Sequence, residues 1–184
     1  LIDTVDGLNI NDNGTYVDVT FGGGGHSKEI LKRLGSNGRL LAFDQDQDAL
    51  LNRIDDSRFT LINENFRYLK RFLKFHGVMS IDGILADFGV SSHQFDVPER
   101  GFSTRFEANL DMRMNQQEEL SAFHVVNEYS ESQLKQIFWQ YGELRNAPKI
   151  ARGIVNERSN GDILTSEHLK LILKKFMPPR KENK

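Results

Sequence analysis

The 184-residue sequence contains no cysteine. Disulfides, iron–sulfur clusters, cysteine-ligated zinc and a thiol nucleophile are thereby excluded. It also lacks any apolar run near the roughly 20 residues of a membrane-spanning helix. No basic stretch followed by an apolar core opens the chain, so no signal peptide is expected. Neither sign of charge dominates: 24 Lys and Arg stand against 26 Asp and Glu, a net of −2. That balance speaks against a globally basic nucleic-acid-binding domain and leaves any nucleic acid to meet a local patch. The five histidines, His26, His76, His93, His124 and His168, show no His-x-x-x-His spacing, and no serine sits in a Gly-x-Ser-x-Gly elbow. No metal site and no serine triad are expected. What remains, 38% hydrophobic and 27% charged residues, is the chemistry of a globular domain.

The chain reads as alternating strands and helices up to residue 87. Thr15-Tyr-Val-Asp-Val-Thr-Phe21 suits a strand, followed by four glycines and a helix over 28–34 that ends at Gly35. Strands at 39–44, 58–62 and 81–87 alternate with helices at 46–54 and 65–76. Such alternation predicts a parallel sheet with helices on its faces. The strands lack polar alternation, as expected when both faces are covered. Residues 88–117 read as a long, functional loop. After 118 the patterns are helical: Leu134, Ile137, Phe138 and Tyr141 share one spacing, Ile150, Ile154 and Val155 mark another helix, and Ser166 caps a last one stopped by Pro178-Pro179. Trp139 reads as packing within this helical region.

The strongest chemical signal is Asp18-Val-Thr-Phe-Gly22-Gly23-Gly24-Gly25-His26-Ser27. Glycines between a strand and a helix let the backbone approach a ligand, and the helix start beyond them offers unpaired N–H groups. Asp44 ends the next strand at a distance suited to accepting both hydroxyls of a ribose. The third glycine of a dinucleotide fingerprint falls at Ser27 or Lys28, and no Lys-Ser/Thr pair closes a triphosphate loop. A nucleoside cofactor without a pyrophosphate, S-adenosylmethionine, fits best. Asp87 ends the fourth strand, so Asp18, Asp44 and Asp87 are expected to converge beyond the carboxyl ends of the sheet. Arg67, Lys70, Arg71 and Lys74 share one helical face. They read first as the solvated face of an amphipathic helix, with a phosphate-binding stripe as the alternative.

Five segments in order resemble one family. They are Asp18–Ser27, Ala42–Asp46, Asp82–Gln94, Glu99–Ser103 and Leu110–Met114, with Tyr141-Gly142-Glu143 and Ile150-Ala151-Arg152 further on. The sequence resembles the bacterial ribosomal RNA small-subunit methyltransferase H family, whose members methylate the N4 amino group of a cytidine with S-adenosylmethionine. The resemblance implies an α/β class I (Rossmann-like) methyltransferase fold with a parallel sheet, interrupted by a helical insertion and lacking its C-terminal strands. Residues 1–104 would form the cofactor-binding part and 105–184 a mostly helical subdomain on the substrate side.

By position, the resemblance assigns Gly22, Gly24, Gly25 and His26 to the cofactor loop and Asp44 to the ribose. Phe66 goes beside the adenine, and Asp87 and Gln94 make further cofactor contacts. Asp87 with Ser91 or Ser92 is expected to serve catalysis, where DNA amino-methyltransferases carry Asp/Ser-Pro-Pro-Tyr. Arg100, Asp111 and Arg113 are expected on the substrate side. The implied partners are small-subunit ribosomal RNA and the small ribosomal subunit, in the cytoplasm and away from membranes, with a homodimer left open. The family continues past Lys184, so a partial chain is expected. A cofactor- or RNA-binding fragment without turnover and a nicotinamide-dependent oxidoreductase are the competing readings.

Overall fold

A computed structural model describes residues 1–176 of the chain. The expected stop at Pro178-Pro179 lies outside the described residues. The chain divides into two compact units, Leu1–His93 with Met114–Gln116 and Gln94–Arg113 with Gln117–Lys184. No helix among the described residues is long and apolar enough to cross a membrane.

The first unit holds α1 (Ile2–Asp6), β1 (Thr15–Asp18), α2 (Gly25–Arg33), β2 (Arg39–Phe43), β3 (Phe59–Ile62), α3 (Leu69–Phe75) and β4 (Gly83–Leu85). The four strands form one parallel sheet in the order β3-β2-β1-β4. Tyr16, Leu40 and Ala42 are buried in one core cluster, and Val17, Leu41 and Phe43 in another. Successive strand residues point to opposite faces, so burial on both faces demands the unbroken apolar runs seen in the sequence. Ile30, Leu31 and Leu34 pack into the first cluster; Leu69, Phe72 and Leu73 of α3 pack against the second. The chain adds β2 and β3 to one side of β1 and then crosses to place β4 on the other. The strand order thus reverses between β1 and β4, where open α/β sheets form a ligand crevice at their carboxyl ends.

The α/β expectation holds, with local differences. The α2 helix starts at Gly25, three residues earlier than expected, because Gly24 takes the left-handed conformation (φ 74°) that begins it. Residues 47–52 form a 3₁₀ helix capped by Asp46, and 66–68 form a 3₁₀ turn before α3. Strand β4 is shorter than the expected 81–87, and the expected loop contains α4 (Ser92–Asp96) and a 3₁₀ turn at Pro98–Arg100.

The second unit contains α5 (Ala122–Glu128), α6 (Glu131–Gln140), α7 (Ala147–Arg158) and α8 (Ser166–Lys174). Leu134, Ile150, Ala151, Ile154, Ile163 and Ile172 form its buried core. Two expectations are corrected here. The cap of α8 is Thr165, whose hydroxyl accepts the His168 N–H, whereas Ser166 begins the helix and its buried hydroxyl donates to the Phe106 carbonyl. Trp139 does not pack inside: it is 58% exposed, lying off the apolar stripe that Leu134 and Phe138 define.

One buried carboxylate ties the sheet to the glycine loop. Asp18 is fully buried. Its Oδ2 accepts from the Ser27 hydroxyl at 2.8 Å, and its Oδ1 accepts from the Thr20 N–H at 3.0 Å and the Thr20 hydroxyl at 3.4 Å. The Thr20 oxygen in turn accepts the Asp87 N–H at 2.8 Å. The ends of β1, α2 and β4 are therefore fixed to each other. Burial pushes the Asp18 carboxyl above the usual carboxylate range, against the hydrogen bonds from Ser27 and Thr20 that pull it down. Asp18→Ala removes the acceptor of three hydrogen bonds, the buried Ser27 hydroxyl among their donors, and should lower stability by about 2–5 kcal/mol. Asp18→Asn should lose less. Because the folded state holds the Asp18 proton more tightly than the unfolded chain, the parent loses stability relative to Asp18→Asn as pH rises from the unfolded value through the raised folded one. Denaturant titrations across acid to neutral pH read this; a gap that widens with pH would refute it.

Candidate cofactor site at the carboxyl end of the sheet

The glycine loop leaves β1 and turns sharply into α2. Gly22 has φ 50° and Gly24 φ 74°, both in the region that favours glycine. A Cβ on Gly24 would meet the Phe21 ring at 2.9 Å, whereas one on Gly23 would meet nothing within 4 Å. The loop is therefore packed from below at Gly24 and open above at Gly23. The α2 start has no side-chain cap and no acid in its first turn. Its first N–H groups are thus left for a partner carrying oxygen or negative charge. Ser27, at the third-glycine position, is spent on Asp18, so the motif is a short cradle rather than a dinucleotide fingerprint.

Asp44 follows β2 beside this loop. Its Oδ2 accepts the Gly22 N–H at 2.7 Å, and its Oδ1 accepts the Asp46 N–H at 2.9 Å. A carboxylate has about four acceptor positions and can take several donors at once. Asn63 donates to the Asp44 carbonyl at 2.8 Å and to the Asp46 carbonyl at 3.2 Å, and the Asn52 amide donates to the Gly22 carbonyl at 3.2 Å. Sequence reasoning missed Asn52 and Asn63; a polar Asn63 directly after the apolar strand Phe59–Ile62 was the available signal.

Across the crevice, Asp87 is exposed after β4 and held through its backbone to Thr20. The Phe66 and Phe88 rings lie 5.6 Å apart and tilted by 42°, and both are exposed. Two exposed aromatic rings in contact offer a surface on which a flat base can stack. Ser91 approaches the loop, with its Cβ 3.6 Å from where a Gly22 Cβ would stand, and Ser92 is exposed at the start of α4. His26 is half-buried in the first turn of α2, and the His93 ring lies 3.2 Å from Asp48. Asp18, expected to converge with Asp44 and Asp87, instead faces inward.

The remaining expected residues belong to the second unit. Gln94 is buried in α4. The Arg113 guanidinium reaches Asp111 at 2.6 Å through Nη2 and at 3.1 Å through Nε, and it donates to the Glu118 carbonyl at 2.9 Å. That pairing holds the Asp111 carboxyl below its usual range. Arg100 is buried and donates to the Arg113 carbonyl at 2.9 Å. The three side chains thus hold one another and the loop that carries them. Gly101 (φ 73°) lets that loop close, since a Cβ there would meet the Asn109 carbonyl oxygen at 2.7 Å.

A sequence profile of the MraW methylase family matches residues 1–184. A Ribosomal RNA small subunit methyltransferase H of Christiangramia forsetii is 66% identical over all of this chain and 61% of its own length. Its namesake from Bacteroides thetaiotaomicron is 53% identical over all of this chain and 60% of its own. A crystal structure of a rRNA-methylase from Clostridium thermocellum aligns with 49% of this chain and 54% of its own at 20% identity and a TM-score of 0.40. The chain spans about three fifths of the curated relatives it matches. Matched from its first residue to its last by the family profile, the chain belongs to the MraW methylase family.

Proposed function

We propose that this chain carries the cofactor site of an S-adenosylmethionine-dependent methyltransferase acting on the N4 amino group of a cytidine in small-subunit ribosomal RNA. The observation that carries this reading is the glycine cradle, braced by Asp44, at the point of strand-order reversal beside an exposed Asp87. The relatives' name supplies the substrate class. Ribosomal RNA as substrate makes the cytoplasm the place of action.

The residues fit the cofactor. The main chain at Gly22, Gly24, Gly25 and His26 suits the amino-acid end, and the Asp44 carboxylate suits the ribose hydroxyls. Phe66 suits the adenine face. When bound, S-adenosylmethionine supplies a methyl carbon activated by a sulfonium. The lone pair of the cytidine amino nitrogen is delocalised into its ring, so the protein must orient that nitrogen and take up its proton as the new C–N bond forms. The Asp87 carboxylate accepts that proton, and the Ser91 and Ser92 hydroxyls assist as hydrogen-bonding partners. Arg100, Asp111 and Arg113 act on the substrate side as positioning residues, through the loop that they hold.

Two outcomes are expected. Asp44→Ala should weaken S-adenosylhomocysteine binding by about 1.5–3 kcal/mol, the scale of hydrogen bonds to a charged group. Calorimetry on the folded variant that returns the parent's affinity would remove Asp44 from the ribose. Asp87→Asn keeps shape but loses charge, and should slow single-turnover methyl transfer to unmethylated small subunits by about 10²–10⁴-fold. Cofactor affinity should change far less. Equal losses in both would make Asp87 a cofactor ligand alone, and full activity would exclude it from proton transfer.

A further inference from the structure

The outer face of α3 carries charge of one sign. Leu69, Phe72 and Leu73 dock on the sheet, and Phe72 meets Phe43 edge-on at 6.1 Å. Lys70, Arg71 and Lys74 of α3, and Arg67 of the 3₁₀ turn that leads into it, are left on the outer side, all exposed. An ordinary solvated face mixes signs, and other helices of this chain do so. In α2, Glu29 pairs with Lys32 at 3.2 Å and Arg33 at 3.1 Å; in α8, Glu167 pairs with Lys170 at 2.6 Å. No acidic residue occurs between Glu64 and Asp82, and among the described residues none of these four cations forms an ion pair. In a chain of net charge −2, four unpaired cations on one short face form a concentrated local field.

The position of the stripe gives it a direction. It begins one residue after Phe66, whose ring flanks the cofactor crevice beside Phe88, and runs about 10 Å along the helix away from it. At its far end the Arg39 guanidinium donates to the His76 carbonyl at 3.3 Å, which adds a fifth cation from the start of β2. The Tyr68 ring lies under Arg67 at 4.9 Å, and the Phe75 ring is 81% exposed. Cations interleaved with exposed aromatic rings are the pattern that tracks a single-stranded nucleic acid, its phosphates on the cations and its bases on the rings.

We infer that the α3 face holds the phosphate backbone of the RNA strand adjoining the target cytidine. This rests on the proposed rRNA activity and adds to it the surface that carries the substrate. The test compares the parent with a variant bearing Arg67→Gln, Lys70→Gln, Arg71→Gln and Lys74→Gln, using an oligocytidine single strand at several salt concentrations. The slope of log affinity against log salt should fall by about 3, since each single-strand phosphate contact contributes about 0.7. S-adenosylhomocysteine affinity should stay at the parent's value, which shows that the variant is folded. A control with Lys32→Gln, Lys135→Gln, Lys149→Gln and Arg152→Gln removes the same charge elsewhere and should keep the parent's slope. An unchanged slope in the α3 variant, as a stripe facing solvent or an acidic protein surface would give, overturns the inference. So does a control that loses as much. If the α3 variant fails in this way while the parent still methylates small subunits, the inference falls and the proposed function stands. A parent that binds no RNA overturns both.

Discussion

The carboxylate of Asp18 is the constraint on which the site depends. A glycine-rich loop has no side chains with which to hold its own shape. Here the shape is imposed from inside, by one acceptor that gathers the Thr20 N–H, the Thr20 hydroxyl and the Ser27 hydroxyl. A carboxylate is suited to this because it accepts several bonds at once and donates none. Desolvation works against the charged form and is only partly offset by those donors. Since Ser27 bonds inward to Asp18, and Gly24 has no side chain to cap the helix, the first turn of α2 still faces outward uncapped. The loop is thus rigid below and receptive above.

Asp44 repeats the arrangement one strand over. It braces the loop at Gly22 and is itself braced through Asn63, so the acceptor aimed at the crevice is fixed before any ligand arrives. Preorganisation of this kind reduces the ordering that binding must impose. Asp87 is linked to the same frame by its backbone N–H, and its carboxyl group is exposed. Two acids of the same residue type, each after a strand, therefore differ in which of their atoms the scaffold uses.

Much of this was legible in the sequence where the signal was local. The apolar runs of β1 and β2, the glycines between strand and helix, and Asp44 at the next strand end all lie within short windows whose periodicity or spacing has a direct physical meaning. What was not legible was long-range. Thr20 and Asp87 are 67 residues apart, and nothing in either window announces their hydrogen bond. Asp18 lay within the recognised motif, but its direction could not be read: a residue ending a strand points to one face or into the loop according to where its partners sit. Trp139 failed for a different reason. The sequence reads it as packing, but the helical stripe is set by Leu134 and Phe138, and position 139 lies about 100° beyond the latter.

Charge shows the same contrast between sums and arrangement. A net of −2 argues against a globally basic nucleic-acid-binding domain, and that inference is sound for the molecule as a whole. Screening confines each exposed charge to roughly 8–10 Å at physiological salt, so a phosphate on α3 responds to Arg67, Lys70, Arg71 and Lys74 and hardly at all to acids farther away. The Asp111–Arg113 pair gives the converse case. Both residues are charged and lie in a loop, the profile expected of substrate contacts, yet the guanidinium is engaged by its own carboxylate at 2.6 Å. An Arg so held presents less positive field than an unpaired one and instead fixes a backbone. Whether a cation recognises a partner or shapes the chain is therefore decided by the acids within its reach, and α3 has none in its own segment between Glu64 and Asp82.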